Sequence, residues 1–308
     1  MAISARPERV LTIGSRGSAL ALWQARWIAG RLEALGQASR IEIIHTTGDR
    51  ARDVSFAKVG TKGMFTKEIE EALLTGAIDL AVHSLKDMPA ELPEGLALAA
   101  IPAREDPRDA LVGCKLSELR KGARVGSSSL RRAAQLRAAR PDLLVEDIRG
   151  NIDTRLRKLD EGQFDAILLA SAGLNRLGWS ARIAETLPAE LMCPAVGQGA
   201  LAVEVREGGK APAALLASLD DPDTRAAVTA ERALLGALGG GCQVPMGAFA
   251  EMRGGELSMQ AVVVSPDGLR VVRYGGGGRD PVELGNRAGD YLLAHGAREI
   301  LNAVYSNS

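Results

Sequence analysis

Residues Ala123–Ala170 read ARVGSSSLRRAAQLRAARPDLLVEDIRGNIDTRLRKLDEGQFDAILLA. Arg124–Val125 gives a short strand signal, three serines follow, and a helical pattern starts at about Ser129. Leu143–Ile148 reads as a second strand, a helix follows from about Ile152, and Ala166–Ala170 is a third apolar run. Strands alternating with helices predict α/β units and a largely parallel sheet, because each helix carries the chain back across one face.

The same rhythm precedes this stretch. Val10–Ile13 is strand-like, and Leu20, Trp23, Trp27, Ile28, Leu32 and Leu35 recur at helical spacing. Ile41–Thr46 reads as a strand, Lys67–Leu74 as a helix and Ile78–His83 as a strand. The pattern breaks at Ile101–Pro107, at Leu187–Gly199 and at Leu219–Asp223, where prolines and glycines suggest joints between domains. A helix is expected over Thr224–Leu238. Leu257–Val264 and Leu269–Tyr274 flank the turn Ser265-Pro266-Asp267-Gly268, a hairpin signal, and Glu283–Leu293 reads as a helix. The tail is thus a smaller α+β unit.

Composition narrows the function. The 308 residues hold 38 basic and 38 acidic side chains, which disfavours a globally basic nucleic-acid binder. Aromatic content is 3%, too little for a base-stacking platform. No signal-like apolar core precedes residue 15, and no apolar run approaches the ~20 residues of a membrane span, so a cytoplasmic location without membrane contact is expected. Cys114, Cys193 and Cys242 are odd in number and widely spaced, and His45, His83 and His295 are scattered; neither a disulfide framework nor a metal site is expected. The neutral total conceals segregation. Residues 120–158 hold 11 basic and 4 acidic residues, whereas residues 68–109 hold 3 basic and 10 acidic.

The basic residues cluster where strands give way to helices. Arg16, Gly17 and Ser18 follow the first strand. Ser127–Ser129 with Arg131 and Arg132 follow another, and Arg149, Gly150 and Asn151, with Arg155 a turn onward, repeat the arrangement. Free N–H groups and the helix dipole favour anions there, and open α/β sheets bind ligands at the carboxyl ends of their strands. Each serine also reads as a helix N-cap and each arginine as a solvated charge. Three recurrences favour a shared anionic ligand with several carboxylates or phosphates. Asp87, in His83-Ser84-Leu85-Lys86-Asp87-Met88-Pro89, is either a turn aspartate paired with Lys86 or a group that accepts N–H bonds and offsets positive charge. Cys242 follows Gly239-Gly240-Gly241 and reads as a loop cysteine or a covalent anchor. Thr46–Phe65 carries Lys58 and Lys62 among glycines and reads as a solvated or mobile loop.

Together these segments resemble the porphobilinogen deaminase family. The resemblance rests on Gly14–Ala21, Lys58–Gly63, Ala81–Asp87, Gly126–Arg132, Arg149–Asn151, Pro194–Gly199 and Gly240–Pro245, which fall in order along nearly the whole chain. Ser127 stands where many members have threonine, and Thr47 where some have arginine. The resemblance implies an α/β protein of three domains: two lobes like those of periplasmic binding proteins, and a smaller α+β C-terminal domain. Domain 1 would span residues 1–102 and 200–217, domain 2 residues 103–199 and domain 3 residues 218–308. It implies a monomeric transferase that joins four porphobilinogen units head to tail, releases ammonia and yields hydroxymethylbilane for haem and porphyrin biosynthesis. The growing polypyrrole chain starts on a covalently attached dipyrromethane cofactor.

By the same resemblance Cys242 anchors that cofactor through a thioether and Asp87 is catalytic. Lys86, Ser129, Arg131, Arg132 and Arg155 would bind the cofactor. Arg16, Ser18, Arg149, Arg155 and Arg176 would bind substrate or growing chain, and Lys58, Lys62 and Phe65 would belong to a lid. A non-catalytic anion-binding protein is compatible with the strand–helix anion sites alone, although the Gly-rich loop at Cys242 counts against it. An anion-responsive regulator lacks a visible helix-turn-helix.

Overall fold

The computed structural model describes residues 9–50, 65–239 and 244–306. From the N-terminus come β1 (Leu11–Ser15), α1 (Ala19–Ala34), β2 (Ser39–Ile43), α2 (Thr47–Arg50), α3 (Lys67–Thr75), β3 (Leu80–Ser84) and β4 (Leu96–Ala100). Next are β5 (Asp109–Val112), β6 (Arg124–Gly126), α4 (Leu130–Ala139), β7 (Leu144–Glu146), α5 (Ile152–Asp160), β8 (Ala166–Ala170), α6 (Ser171–Arg176) and β9 (Ile183–Thr186). The chain ends with β10 (Leu201–Arg206), α7 (Ala213–Ala217), α8 (Pro222–Ala237), β11 (Met246–Arg253), β12 (Glu256–Val264), β13 (Val271–Gly278), α9 (Pro281–Leu292) and α10 (Arg298–Tyr305).

Three sheets organise these elements. Two have five strands, in the orders β2-β1-β3-β10-β4 and β7-β6-β8-β5-β9, and the third is the meander β11-β12-β13. The five-stranded sheets share one plan. A parallel trio (β2, β1, β3 or β7, β6, β8) is extended by two antiparallel pairings. In direction the expectation of a largely parallel sheet holds, since β4 and β9 run with their trios and only β10 and β5 run against them, although parallel pairing is confined to the trios. The inserted strands, β10 and β5, each enter directly after a crossing between the sheets, so they run back against the trio.

Those crossings are the proline- and glycine-marked joints at 101–107 and 187–199. They lie side by side, with Glu105 N donating to Gly199 O at 3.2 Å. Gly199 has φ 87°, and a Cβ there would stand 2.3 Å from Glu105 O, so the joint requires glycine.

Alternation decides which faces are buried. In β1, Leu11 and Ile13 join Ile28 and Leu32 of α1 in the first lobe's core, while Val125, Leu136 and Leu168 fill the second. The third unit packs Leu234 of α8 and Leu284, Ala288 and Leu292 of α9 against Ala248 and Ala261 of its meander. Smaller clusters tie it to both lobes: Val228 of α8 packs with Leu85 and Ile101, and Val262 and Val264 pack with Ala134. The molecule is α/β, with two lobes and a smaller C-terminal unit. No helix among the described residues is long and apolar enough to cross a membrane.

Candidate active site

The carboxyl ends of the two parallel trios face one cleft of about 520 Å³. That size suits a ligand held by a few convergent polar groups. From the first lobe come Arg16 and Ser18 after β1, and Ser84, Lys86 and Asp87 after β3. From the second come Ser128 and Arg132 after β6, Arg149, Arg155 and Lys158 after β7, and Arg176 after β8.

Local structure fixes these side chains. Ser18 caps α1 by accepting from Ala21 N at 3.3 Å, and Ser129 caps α4 by accepting from Arg132 N at 3.4 Å. Leu85–Asp87 forms one turn of 3-10 helix; Leu85 and the following Met88 are buried while Lys86 and Asp87 face the cleft. Leu85 N donates to Ala200 O at 3.0 Å, which ties this turn to the second joint.

Asp109, the first residue of β5, holds the base of the cleft. Its carboxylate accepts from Arg131 Nη1 at 2.6 Å, Arg132 Nε at 2.9 Å and Gln198 Nε2 at 2.9 Å. Burial would raise this carboxyl, but the two guanidiniums outweigh it and hold the group well below the usual carboxylate range. Arg131 also donates to Cys193 O at 2.6 Å and does not line the cleft, whereas Arg132 does.

The remaining cations are less compensated. Lys86 is exposed at the cleft, although protein groups crowd its ammonium. Burial, reinforced by Arg132 and opposed by Asp87, lowers its ammonium to about 8. Arg155 is lowered to about 10, first by burial and then by Arg132, with Asp147 opposing. Its Nε donates to Gly150 O at 2.8 Å. Arg176 is lowered to about 10 by burial, with Glu105 opposing; it donates to Gly199 O at 2.7 Å and its guanidinium lies 5.8 Å from the Trp23 ring. Arg149 Nε donates to Asp147 at 2.8 Å, and the Arg16 guanidinium stands 4.1 Å over the Phe65 ring. Desolvated cations facing one cleft favour a ligand with several anionic groups, which would relieve their desolvation.

Of the site residues expected from sequence, the cleft brings together Arg16, Ser18, Phe65, Lys86, Asp87, Arg132, Arg149, Arg155 and Arg176. Ser129 lies at the cap beside it, and Arg131 lies behind it. Lys58, Lys62 and Cys242 lie outside the described residues. Sequence reading missed Lys158, whose position three residues from Arg155 on α5 was the available signal. It also missed Asp109 and Gln198, which no local pattern marks because their partners come from distant segments.

The sequence matches known families over most of its length. Residues 11–213 match the family described as porphobilinogen deaminase, dipyromethane cofactor binding domain, and residues 225–294 match porphobilinogen deaminase, C-terminal domain. The chain is 54% identical to porphobilinogen deaminase of Thiobacillus denitrificans, covering 96% of this chain and 98% of that one. It is 49% identical to the Bacillus subtilis protein of the same name, covering 96% of each. Among solved structures, it is similar to a TRAP periplasmic solute binding protein from Desulfovibrio salexigens at a TM-score of 0.42 and 11% identity, over 69% of this chain and 72% of that one. A periplasmic substrate-binding protein from Coxiella burnetii gives a TM-score of 0.42 and 16% identity, over 69% and 93%. With both domain matches in order and half of the residues shared across nearly its full length, the chain belongs to the porphobilinogen deaminase family.

Proposed function

We infer that this chain is the transferase hydroxymethylbilane synthase. It condenses four porphobilinogen molecules head to tail, releases ammonia at each step, and forms hydroxymethylbilane for haem and porphyrin biosynthesis. The family match over nearly the full chain carries this reading. The cleft chemistry supports it: porphobilinogen bears acetate and propionate groups, which suit the desolvated cations around Asp87.

The residues present also fit a dipyrromethane, since Lys86, Arg132 and Arg155 offer cations to its carboxylates beside the Ser129 cap. Cys242 anchors the group through a thioether. When bound, it supplies the ring from which the chain starts. Arg131 contributes by holding Asp109 and, through it, Arg132. Arg16, Ser18, Arg149, Arg155 and Arg176 bind the substrate and growing chain, and Lys58, Lys62 and Phe65 belong to a lid. Asp87 accepts the pyrrole N–H and offsets the positive charge that develops on the substrate ring as ammonia departs.

Residues 1–102 with 200–217 form the first domain, 103–199 the second and 218–308 the third. The return of β10 to the first sheet supports this division. The enzyme works as a cytoplasmic monomer.

Intact-mass measurement and peptide mapping test the reading. The purified active protein should exceed its sequence mass by one dipyrromethane carried on Cys242; an active preparation with unmodified Cys242 overturns the anchor. Asp87→Ala should lower turnover by about 10²-fold or more while keeping the fold. Wild-type turnover in that variant removes Asp87 from the mechanism.

A further inference from the structure

A side recess of the cleft, of about 60 Å³, lies beside Asp87; it shares Ser18, Ser84 and Asp87 with the cleft and adds Gln24, Thr66 and His83. It has room for one or two molecules of the size of water or ammonia. Its wall leads into a buried polar group that the reading above does not use. His83 Nε2 of β3 and Glu204 Oε2 of β10 lie 3.0 Å apart, and both residues are buried. Glu70 of α3 belongs to the same group: burial raises its carboxyl, Glu204 adds to the rise, and Thr66 and His83 oppose it.

Glu70 Oε1 and Glu204 Oε1 have no hydrogen-bond partner among the described residues. A buried carboxyl oxygen without a partner is costly when charged, so Glu70, whose carboxyl burial raises, favours holding a proton. Among the described residues, Arg232 of α8 acts on Glu204, and Asp87 and Arg16 line the same recess as His83.

We propose that this recess receives the ammonia released beside Asp87, and that the His83–Glu204–Glu70 group is the proton store that converts it to ammonium. The inference rests on the function inferred above. The C–N bond of the protonated aminomethyl group breaks, and its electron pair leaves with ammonia. Ammonia takes a proton from the store. The new C–C bond forms, and the proton lost from the pyrrole carbon of the growing chain refills the store. Each cycle therefore produces one ammonium ion and leaves the store unchanged. His83 meets the ammonia, while Glu204 and Glu70 act through it.

Porphobilinogen consumption is measured against pH with holoenzyme whose adduct has been verified by mass, for the wild type, Glu70→Gln, Glu70→Asp and His83→Gln. Glu70→Gln should lower kcat by about tenfold or more, leave KM within about twofold, and displace one limb of the kcat–pH profile. Glu70→Asp should restore most of the wild-type profile. Profiles that superimpose on wild type in shape, even with a uniform fall in rate, overturn the store, because a merely structural role lowers all pH values alike. His83→Gln is read in the same way, so a misfolded Glu70→Gln does not rescue the proposal. Absence of turnover in the wild type overturns the inferred function itself; a working wild type with unmoved variant profiles overturns the proton store alone.

Discussion

Asp109 stands at the first position of a short strand, yet it fixes two cations at once. Its carboxylate is fully buried and bonds Arg131, Arg132 and Gln198. Asp109→Ala would leave two buried guanidiniums without their counter-charge. The loss should be about 3–5 kcal/mol in chemical denaturation, whereas an exposed pair would cost under about 1 kcal/mol. The pH dependence follows from the direction of the shift. The folded pKa lies below the unfolded one, so the stabilisation is fully present above about pH 4 and is lost as pH falls toward the folded value. Acid denaturation should therefore move to lower pH in the wild type than in the variant. The sequence marked Arg131 and Arg132 as ligand contacts alike. Only the neighbours supplied by β5 and the second joint separate one that lines the cleft from one locked behind it.

At the scale of elements, the helices α8 and α9 cross through two glycines of α9. A Cβ on Gly285 would lie 2.3 Å from Ala230 O and 2.6 Å from Ala233 Cβ, and one on Gly289 would lie 2.5 Å from Ala237 Cβ. Alanine favours a helix over glycine by about 1 kcal/mol, but the clash at Gly285 is with backbone and cannot relax cheaply. Gly285→Ala should thus destabilise the protein by about 1–3 kcal/mol in thermal or chemical unfolding, while the folded fraction keeps its turnover. A variant at least as stable as wild type would show that the helices can shift apart.

Most parallel-trio elements were legible because their periodicity is local. The helix expected from about Ser129 begins at Leu130, and the one expected from about Ile152 begins there. Strands β4, β5, β9, β10 and β11 were not singled out. Leu96–Ala100 reads LALAA and Asp109–Val112 opens with a buried charge, so neither carries a strand period of its own. Their pairing partners lie far away in sequence.

At the scale of the whole molecule, Glu231 of α8 ties the C-terminal unit to both joints between the lobes. Its carboxylate accepts from Arg104 Nη1 at 2.6 Å and Nη2 at 3.1 Å, from Gly197 N at 2.7 Å and from Ala250 N at 2.9 Å. Arg104 and Gly197 belong to the two joints, and Ala250 belongs to the meander. Glu231→Ala should cost about 3–5 kcal/mol, and limited proteolysis should cut faster within residues 101–107 and 187–199. Unchanged cleavage would mean that the apolar clusters alone hold the joints. The sequence by itself determined the alternation of strands and helices, the three anion-favouring strand ends, the concentration of positive charge in residues 120–158, and the family to which they point, because each depends on residues close together in the chain. Tertiary structure alone decided that the two sheets share a plan, that their carboxyl ends face one cleft, which arginines remain turned toward it, and that His83 of β3 meets Glu204 of β10. Those outcomes depend on strands inserted from across the joints, and no local pattern encodes which distant segment will arrive beside a given residue.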